Sequence, residues 1–154
     1  MSGRYLEDFV IGEVIDSPTD YEVTQDALHA FATDFDPQPI HLDEAAAERG
    51  FFGEMTASGW HTLSATMGLM VRSPLFESGE VIGVGVDKLR WLVPVRTGDR
   101  LRARAVILST RPSSSRPDRG FMTLVVTTLR GGEPVASQEW TVLVPRRPVA
   151  RPLN

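Results

Sequence analysis

The sequence predicts an α+β fold in which an antiparallel sheet curls around one buried central helix. The carboxyl-terminal half carries four strand-like runs separated by turn residues, whereas the amino-terminal half carries helix signals. One helical stretch, residues 58–71, is apolar, holds several small side chains and contains no Asp, Glu, Lys or Arg. A helix without charges meets little water, so it fits the concave side of a curled sheet. The length of 154 residues is typical of one domain.

The four strand-like runs are joined mostly by short turns. Thr97-Gly98-Asp99 precedes the second run, and Gly131-Gly132 precedes the fourth. Short connections join neighbouring strands in opposite directions, which predicts a mainly antiparallel sheet. The predicted strands span residues 81–92, 101–110, 121–129 and 135–144.

Three helices are predicted before these strands. The first begins after Thr24, a plausible N-cap, and carries one apolar stripe at helical spacing: Ala27, Leu28, Phe31, Ala32 and Phe35. The second runs from Leu42 or Asp43 to Arg49, where Gly50 ends it. The third begins near Ser58 and ends before Pro74, and its predicted apolar face comprises Trp60, Leu63, Met67, Met70 and Val71. Residues 146–154 are predicted to form a flexible tail after a domain of residues 1–145.

Composition removes several classes of function. A formal net charge of −4 without a basic run argues against a nucleic-acid partner. The absence of cysteine excludes disulfides, a thiol nucleophile and a zinc–cysteine site, and the three histidines form no metal-ligand motif, so no metal is expected. No signal-peptide pattern and no membrane-spanning run are present, which predicts a cytoplasmic protein without a membrane partner.

The most informative motif is Asp36-Pro37-Gln38-Pro39-Ile40-His41. Each proline fixes its own φ and biases the preceding residue toward extended backbone, so the carboxylate and the imidazole lie on a stiff segment. Such a pair can act as an acid and a base. The alternative is structural, since Asp before Pro often opens a turn and His at a helix start is often only a cap or a solvated side chain.

These residues resemble the MaoC-like dehydratase family, which is related to the (R)-specific enoyl-CoA hydratases and has the hot-dog fold. The resemblance rests on Tyr5-Leu6-Glu7-Asp8-Phe9 with Gly12, on Phe35 to Asp43, and on Pro94-Val95 with Thr97-Gly98-Asp99. Two positions depart from the family pattern. Gln38 stands where Asn is usual, and Ser58-Gly59 stands where many members have His-Gly.

The resemblance implies reversible addition of water to a trans-2-enoyl thioester. Asp36 and His41 would be the catalytic pair, and the backbone N–H of Gly59 would bind the developing oxyanion. Ser58, Gln38 and His61 are further candidates for substrate contacts, although a satisfied, partly buried histidine is the commoner state for His61. Coenzyme A is then part of the substrate, no separate cofactor is implied, and a homodimer or higher homo-oligomer is expected.

Other possibilities stay open at the level of sequence. Hot-dog proteins include thioesterases, which often carry a carboxylate on the central helix; residues 58–71 have none, but Glu54 lies just upstream. A binding subunit without catalysis is a third possibility, which the intact Asp36 and His41 disfavour. Asp34 is a rival carboxylate that fails the motif spacing. The loop from Arg111 to Arg119 is interpreted either as a solvated loop or as a contact for coenzyme A phosphates.

Overall fold

A computed structural model describes residues 3–77 and 79–149 of the chain, and its core is one six-stranded antiparallel sheet. The strand order is β1-β4-β5-β6-β3, and β2 pairs with a second segment of β4. The strands are β1 (Val14–Asp16), β2 (Tyr21–Glu22), β3 (Ile82–Trp91), β4 (Arg100–Pro112), β5 (Arg119–Arg130) and β6 (Glu133–Pro145). The four predicted strands are therefore confirmed, and the two short ones were missed because two or three residues carry too little alternation to be recognised.

Strands β4, β5 and β6 alternate strictly between buried and more accessible side chains along much of their length. Because alternate side chains point to opposite faces of the sheet, each strand directs one row of side chains toward the core beneath the helices. The row on β4 includes Leu101, Ala103, Ala105 and Ile107, each at most 1 % exposed. The turn into β4 is confirmed at Gly98, whose φ of +90° lies in the left-handed region that glycine adopts without strain.

The helices are α1 (Gln25–Phe35), α2 (Pro39–Leu42), α3 (Glu44–Arg49) and α4 (Gly59–Val71), with single 3₁₀ turns at Leu6–Asp8 and Pro74–Phe76. Thr24 caps α1 as predicted, accepting a hydrogen bond from the backbone of Ala27. The predicted second helix is confirmed as α3, and a separate one-turn helix, α2, which was not predicted, precedes it. Asp43 has extended backbone between them and caps α3 by accepting from the Ala46 N–H. His41 consequently lies inside the one-turn helix α2 rather than at the edge of the longer helix.

The central helix α4 is present as predicted, but of its predicted apolar face Met70 is buried, Leu63 is half-buried and the other three residues are exposed. The residues buried against the sheet and α1 are small, polar or aliphatic: His61, Thr62, Ala65, Thr66, Leu69 and Met70. Trp60, Met67 and Val71 are between 43 % and 54 % exposed. Small side chains such as Ala65 allow the helix to approach the sheet closely, while Leu69 and Met70 join the hydrophobic core. Three large apolar side chains, those of Trp60, Met67 and Val71, are left on the outer face of α4.

The carboxyl-terminal residues that the structure describes run back beside the amino terminus. The Arg146 side chain donates to Glu7 at 2.9 Å, and the Arg147 side chain pairs with Asp8. Residues 150–154 of the predicted tail lie outside the described residues. Within the described part of the chain, no helix combines the length and the apolar character that crossing a bilayer requires.

One buried hydrogen bond between α4 and β5 should be measurable as stability. Thr66 Oγ1 donates to the Thr62 carbonyl at 2.8 Å and lies 2.6 Å from Thr128 Oγ1, and both threonines are fully buried. We expect Thr66→Val to lower the free energy of unfolding by about 1–3 kcal/mol, because the Thr128 hydroxyl loses its acceptor. The double variant Thr66→Val, Thr128→Val should recover much of that loss in denaturant titrations. A double variant as unstable as the sum of the single variants would contradict this coupling.

Candidate active site

A cavity of about 330 Å³ opens where the amino terminus of α4 meets the segment between α1 and α3. It is lined by polar groups of that segment, by the first residues of α4 and by apolar residues between β3 and β4. Asp36, His41 and Gly59 are all among its lining residues. The structure therefore brings into one cavity the two residues of the acid/base motif and the glycine at the helix start.

Asp36 owes its position to the end of α1. The helix ends at Phe35, and Asp36 is the C-cap, with its N–H donating to the Ala32 carbonyl at 2.9 Å. Pro37 cannot continue the helix, so the chain turns away at this residue. The Gln38 N–H then donates to the Asp36 carbonyl at 2.8 Å, which tightens the turn.

His41 is brought in by the next turn. Pro39 occupies the first position of α2, where a missing N–H costs nothing, and His41 follows two residues later. Its side chain is 7 % exposed, and its Nδ1 lies 2.6 Å from the Thr56 carbonyl oxygen. Since a carbonyl only accepts, Nδ1 carries the proton in this hydrogen bond. In the neutral ring, Nε2 is then a free acceptor that faces Asp36.

The Asp36 carboxylate receives one hydrogen bond on each oxygen. The Gln38 side-chain amide donates to Oδ1 at 2.7 Å, and the Ser58 hydroxyl donates to Oδ2 at 2.7 Å. Burial on its own raises the pKa of Asp36, but the hydrogen bonds from Ser58 and Gln38 and the charge interaction with His41 outweigh it and hold this pKa below its ordinary value. Asp36 is therefore ionised at neutral pH.

The side chains of Asp36 and His41 face each other across a short distance. Asp36 Oδ2 lies 3.3 Å from His41 Nε2. When His41 is in its neutral form, its Nε2 and the ionised carboxylate of Asp36 are both acceptors, so neither can donate to the other. A water molecule, which has two O–H groups, can donate to both at once. The arrangement can thus hold and polarise one water.

Gly59 is the first residue of α4, and its N–H has no acceptor among the described residues. The first N–H groups of a helix lack partners and lie at the positive end of the helix dipole, so they attract negative charge. Glycine also leaves room for Trp91 of β3. A Cβ added at Gly59 would lie 2.3 Å from Trp91 Nε1, closer than any side chain tolerates.

The structure places the remaining predicted residues differently. Gln38 and Ser58 hydrogen-bond to Asp36 itself, so they hold the carboxylate in place. His61 lies outside this cavity, because its position on α4 turns it toward α1: its Nε2 lies 2.8 Å from the Tyr21 hydroxyl and its ring stacks on Phe31. Burial lowers the pKa of His61, so this ring is neutral at pH 7.

Two participants carry no signal in the sequence. Thr56 acts through its backbone carbonyl, which every residue has, so its side chain could not reveal the role. Trp91 ends an ordinary strand, and only its contact with Gly59 shows that it borders the site. In contrast, none of residues 111–119 lines the cavity, and Arg119 pairs with Glu80 at 2.9 Å.

The hydrogen bond from Ser58 to Asp36 predicts a measurable pKa change. Ser58→Gly removes the hydroxyl but keeps a residue that is tolerated at an N-cap, so α4 should remain intact. We expect the pKa of Asp36 to rise toward its ordinary value in a carboxyl ¹³C NMR titration. In the wild type, the lowered pKa of Asp36 stabilises the fold above the ordinary carboxyl pKa, and this stability is lost as the pH falls through the native pKa. In Ser58→Gly this contribution should be smaller and should be lost at a higher pH.

The matched control is Ser64→Ala, which removes an exposed α4 hydroxyl that donates to the Trp60 carbonyl. It should leave the Asp36 titration unchanged. An Asp36 pKa that does not respond to Ser58→Gly would mean that this hydroxyl does not stabilise the carboxylate.

Comparisons with known proteins agree with this architecture. The family described as MaoC like domain matches residues 8–128. A MaoC-like dehydratase from Rhodospirillum rubrum is 44 % identical, with a TM-score of 0.88 over 96 % of this chain and 100 % of that one. An (R)-hydratase from A. caviae involved in PHA biosynthesis has a TM-score of 0.72 at 23 % identity, over 90 % of this chain and 99 % of that one, which supports the fold alone.

A relative from Bacillus subtilis, the uncharacterised protein YdeM, is 30 % identical over 92 % of this chain and 99 % of its own length. Together with the antiparallel sheet and its central helix, these similarities confirm the predicted hot-dog fold. They also support a hydratase or dehydratase kind of protein. The family match covers far more than half of the sequence, and this chain belongs to the MaoC-like domain family.

Proposed function

We propose that this protein catalyses the reversible hydration of a trans-2-enoyl-CoA thioester, with Asp36 and His41 as the catalytic pair. The observation that carries the proposal is that Asp36 Oδ2 and His41 Nε2 lie 3.3 Å apart in a cavity that is also lined by Gly59, whose N–H has no acceptor among the described residues. Hydration of an enoyl thioester requires an activated water, a proton donor and a site for negative charge. The cavity offers a group suited to each requirement.

The proton transfers can be written from the geometry. A water bound between Asp36 Oδ2 and His41 Nε2 gives one proton to the pair while its oxygen bonds to C3 of the substrate. The C2–C3 π electrons move toward C2, and the thioester becomes enolate-like. The pair then returns the proton to C2, so one water has been added and the pair is regenerated. We assign the base and the acid jointly, since the two groups share one water.

The enolate-like intermediate places negative charge on the thioester oxygen. The Gly59 N–H and the positive end of α4 are suited to accept that charge. Both exist before the substrate arrives, so no reorganisation is needed when the charge develops. No cofactor beyond the coenzyme A of the substrate is required by these steps.

Thioester hydrolysis is the weaker alternative. Glu54, the carboxylate that left it open, is held by Arg96 at 2.5 Å and does not line the cavity. The central helix carries no carboxylate between Gly59 and Val71. Free thiol release is therefore an outcome to be tested and not the expected reaction.

We also infer that the protein forms a homodimer or a higher homo-oligomer through β3. This strand pairs only with β6 in the described sheet, so its other edge is open. Its apolar residues Ile82, Val84 and Val86 are between 42 % and 54 % exposed, beside the exposed Trp60 and Met67 of α4. An uncovered apolar edge invites pairing with another strand, and a second copy of β3 would cover it.

The proposed reaction is tested with a panel of trans-2-enoyl-CoA thioesters, including crotonyl-CoA and mesaconyl-CoA. Loss of the conjugated enoyl absorbance should occur with the wild type and fall by about 10²–10⁴-fold in Asp36→Asn, because general acid–base catalysis is worth about that factor. His41→Gln and the double variant should lose a similar amount. Free thiol is followed in parallel.

Asp34→Asn is the matched control, since Asp34 lies at the exposed end of α1 and lines a different cavity. It should keep near-normal turnover. A loss equal to that of Asp36→Asn would show that the wrong carboxylate was chosen. Thiol release would indicate a thioesterase, and no reaction with any thioester would favour a non-catalytic binding subunit.

The proposed interface predicts a change in mass. Light scattering at micromolar concentration should give at least twice the mass of one chain for the wild type. Val86→Lys should shift the protein toward monomer, because it places charge on the open edge of β3. Leu108→Lys alters a similarly exposed apolar residue on β4 and should leave the mass unchanged. A monomeric wild type would overturn the inference.

A further inference from the structure

The imidazole of His41 is held by a single peptide group, and that group is itself held from the other side. His41 Nδ1 lies 2.6 Å from the Thr56 carbonyl oxygen. This carbonyl shares its peptide unit with the N–H of Ala57, and in a planar trans peptide the C=O and the N–H point in opposite directions. The Ala57 N–H donates to the Val95 carbonyl at 2.8 Å. The direction of the carbonyl that binds His41 is therefore fixed by Val95.

The same arrangement is repeated at the next peptide unit. The Val95 carbonyl shares its peptide unit with the N–H of Arg96, which donates to Asp99 Oδ2 at 2.9 Å. Asp99 is held in turn by Arg130, whose Nη1 donates to the same carboxylate oxygen at 2.7 Å and to the Pro94 carbonyl at 3.0 Å. Hydrogen bonds and two peptide units thus form one continuous series between this carboxylate and the catalytic imidazole.

Every donor in the series points toward Asp99. The imidazole donates to Thr56, the Ala57 N–H donates to the next carbonyl, and the Arg96 N–H donates to the carboxylate. Hydrogen bonds aligned in one direction polarise one another, and a carboxylate accepts more strongly than a neutral oxygen. The series therefore favours the proton on Nδ1 of His41 and leaves Nε2 as the nitrogen that faces the cavity.

The middle of the series is shielded from water. Thr56, Ala57 and Val95 are all buried, so water does not compete for their hydrogen bonds, and such bonds are stronger in a medium of low dielectric constant. Asp99 is not among the residues that line the cavity with Asp36 and His41. Its influence on a reaction in that cavity has to pass through other residues.

We propose that Asp99 is a positioning residue for His41, and that it sets the orientation and the protonated nitrogen of the imidazole through the two intervening peptide groups. The proposal rests on the function proposed above, because it takes His41 as catalytic. Loss of the Asp99 carboxylate should loosen the imidazole and slow the chemical step while substrate binding is retained.

The test observes His41 directly by NMR in Asp99→Ala. In the wild type, the ring ¹⁵N shifts of the neutral imidazole should be those of the Nδ1–H tautomer, and the Nδ1–H proton should resonate at low field because its hydrogen bond is short. In Asp99→Ala, this proton should move to higher field and the Nε2–H tautomer should appear. Neither signal requires a substrate.

Hydration kinetics supply the second measurement on the same variant. We expect kcat to fall by about 10–100-fold in Asp99→Ala, because misplacing a catalytic group by about 1 Å can cost about 100-fold. KM should change by less than about 3-fold, since the interaction that is lost does not contact the substrate. Asp99→Asn keeps an oxygen acceptor but removes the charge, so both the NMR signals and kcat should change less and in the same direction.

Asp16→Ala is the matched control. Asp16 accepts from Arg104 at 2.7 Å, the same distance as in the pair of Asp99 and Arg130, but it lies on β1 and has no hydrogen bond toward the cavity. A second control is Thr66→Val, which is expected to lower the stability of the fold without altering the series. Both variants should keep the His41 signals and kcat of the wild type.

The two measurements separate this proposal from the proposed reaction. His41 signals that respond to Asp99→Ala support the positioning role even if no thioester is hydrated, in which case the hydratase function alone is overturned. Signals that stay at their wild-type values, or that change no more than in Asp16→Ala, overturn the positioning role even if hydration is confirmed. An equal loss of kcat in Thr66→Val would show that reduced stability is the cause. If Asp99→Ala does not fold, wild-type His41 signals in Asp99→Asn overturn the proposal.

Discussion

The hydrogen bond from Ser58 to Asp36 joins the two halves of the site. Asp36 ends α1, and Ser58 begins α4, so this 2.7 Å contact fixes the segment between the helices onto the start of the central helix. Hydrogen bonds to charged groups are worth about 1.5–3 kcal/mol. The same hydroxyl also accepts from the Trp60 N–H at 3.3 Å and thereby caps α4. One side chain therefore sets both the carboxylate and the helix terminus.

The hydrogen bond between Ser58 and Asp36 also influences the electrostatics of the cavity. The amino terminus of α4 favours negative charge, and the donors from Ser58 and Gln38 favour the ionised form of Asp36. The Thr56 carbonyl sets the protonated nitrogen of His41 and leaves Nε2 toward the carboxylate. An ionised carboxylate, an imidazole whose Nδ1 donates to the Thr56 carbonyl and the N–H of Gly59 are thus held in place before any ligand binds. Such preorganisation is what electrostatic catalysis requires.

The central helix has two different faces, and each has a consequence. Its inner face is small and polar enough for close packing and for the Thr66–Thr128 hydrogen bond with β5. Its outer face retains Trp60, Met67 and Val71, which the described chain leaves uncovered. This outer face adjoins the open edge of β3. The proposed assembly therefore depends on this surface.

The sequence by itself predicted the α+β class, the four long strands, the start of α1 at Thr24 and the central helix, because periodicity, caps and turn residues are local. It also selected Asp36 and His41, since two prolines restrict the backbone around them. The tertiary structure alone decided that Ser58 and Gln38 bind Asp36, that His61 faces Tyr21, and that Trp91 meets Gly59. It also left Trp60, Met67 and Val71 of the expected apolar face of α4 exposed. Those contacts join residues that are far apart in the chain, and the buried face of α4 depends on how closely the helix approaches the sheet. Local sequence spacing determines neither the long-range contacts nor the closeness of that packing.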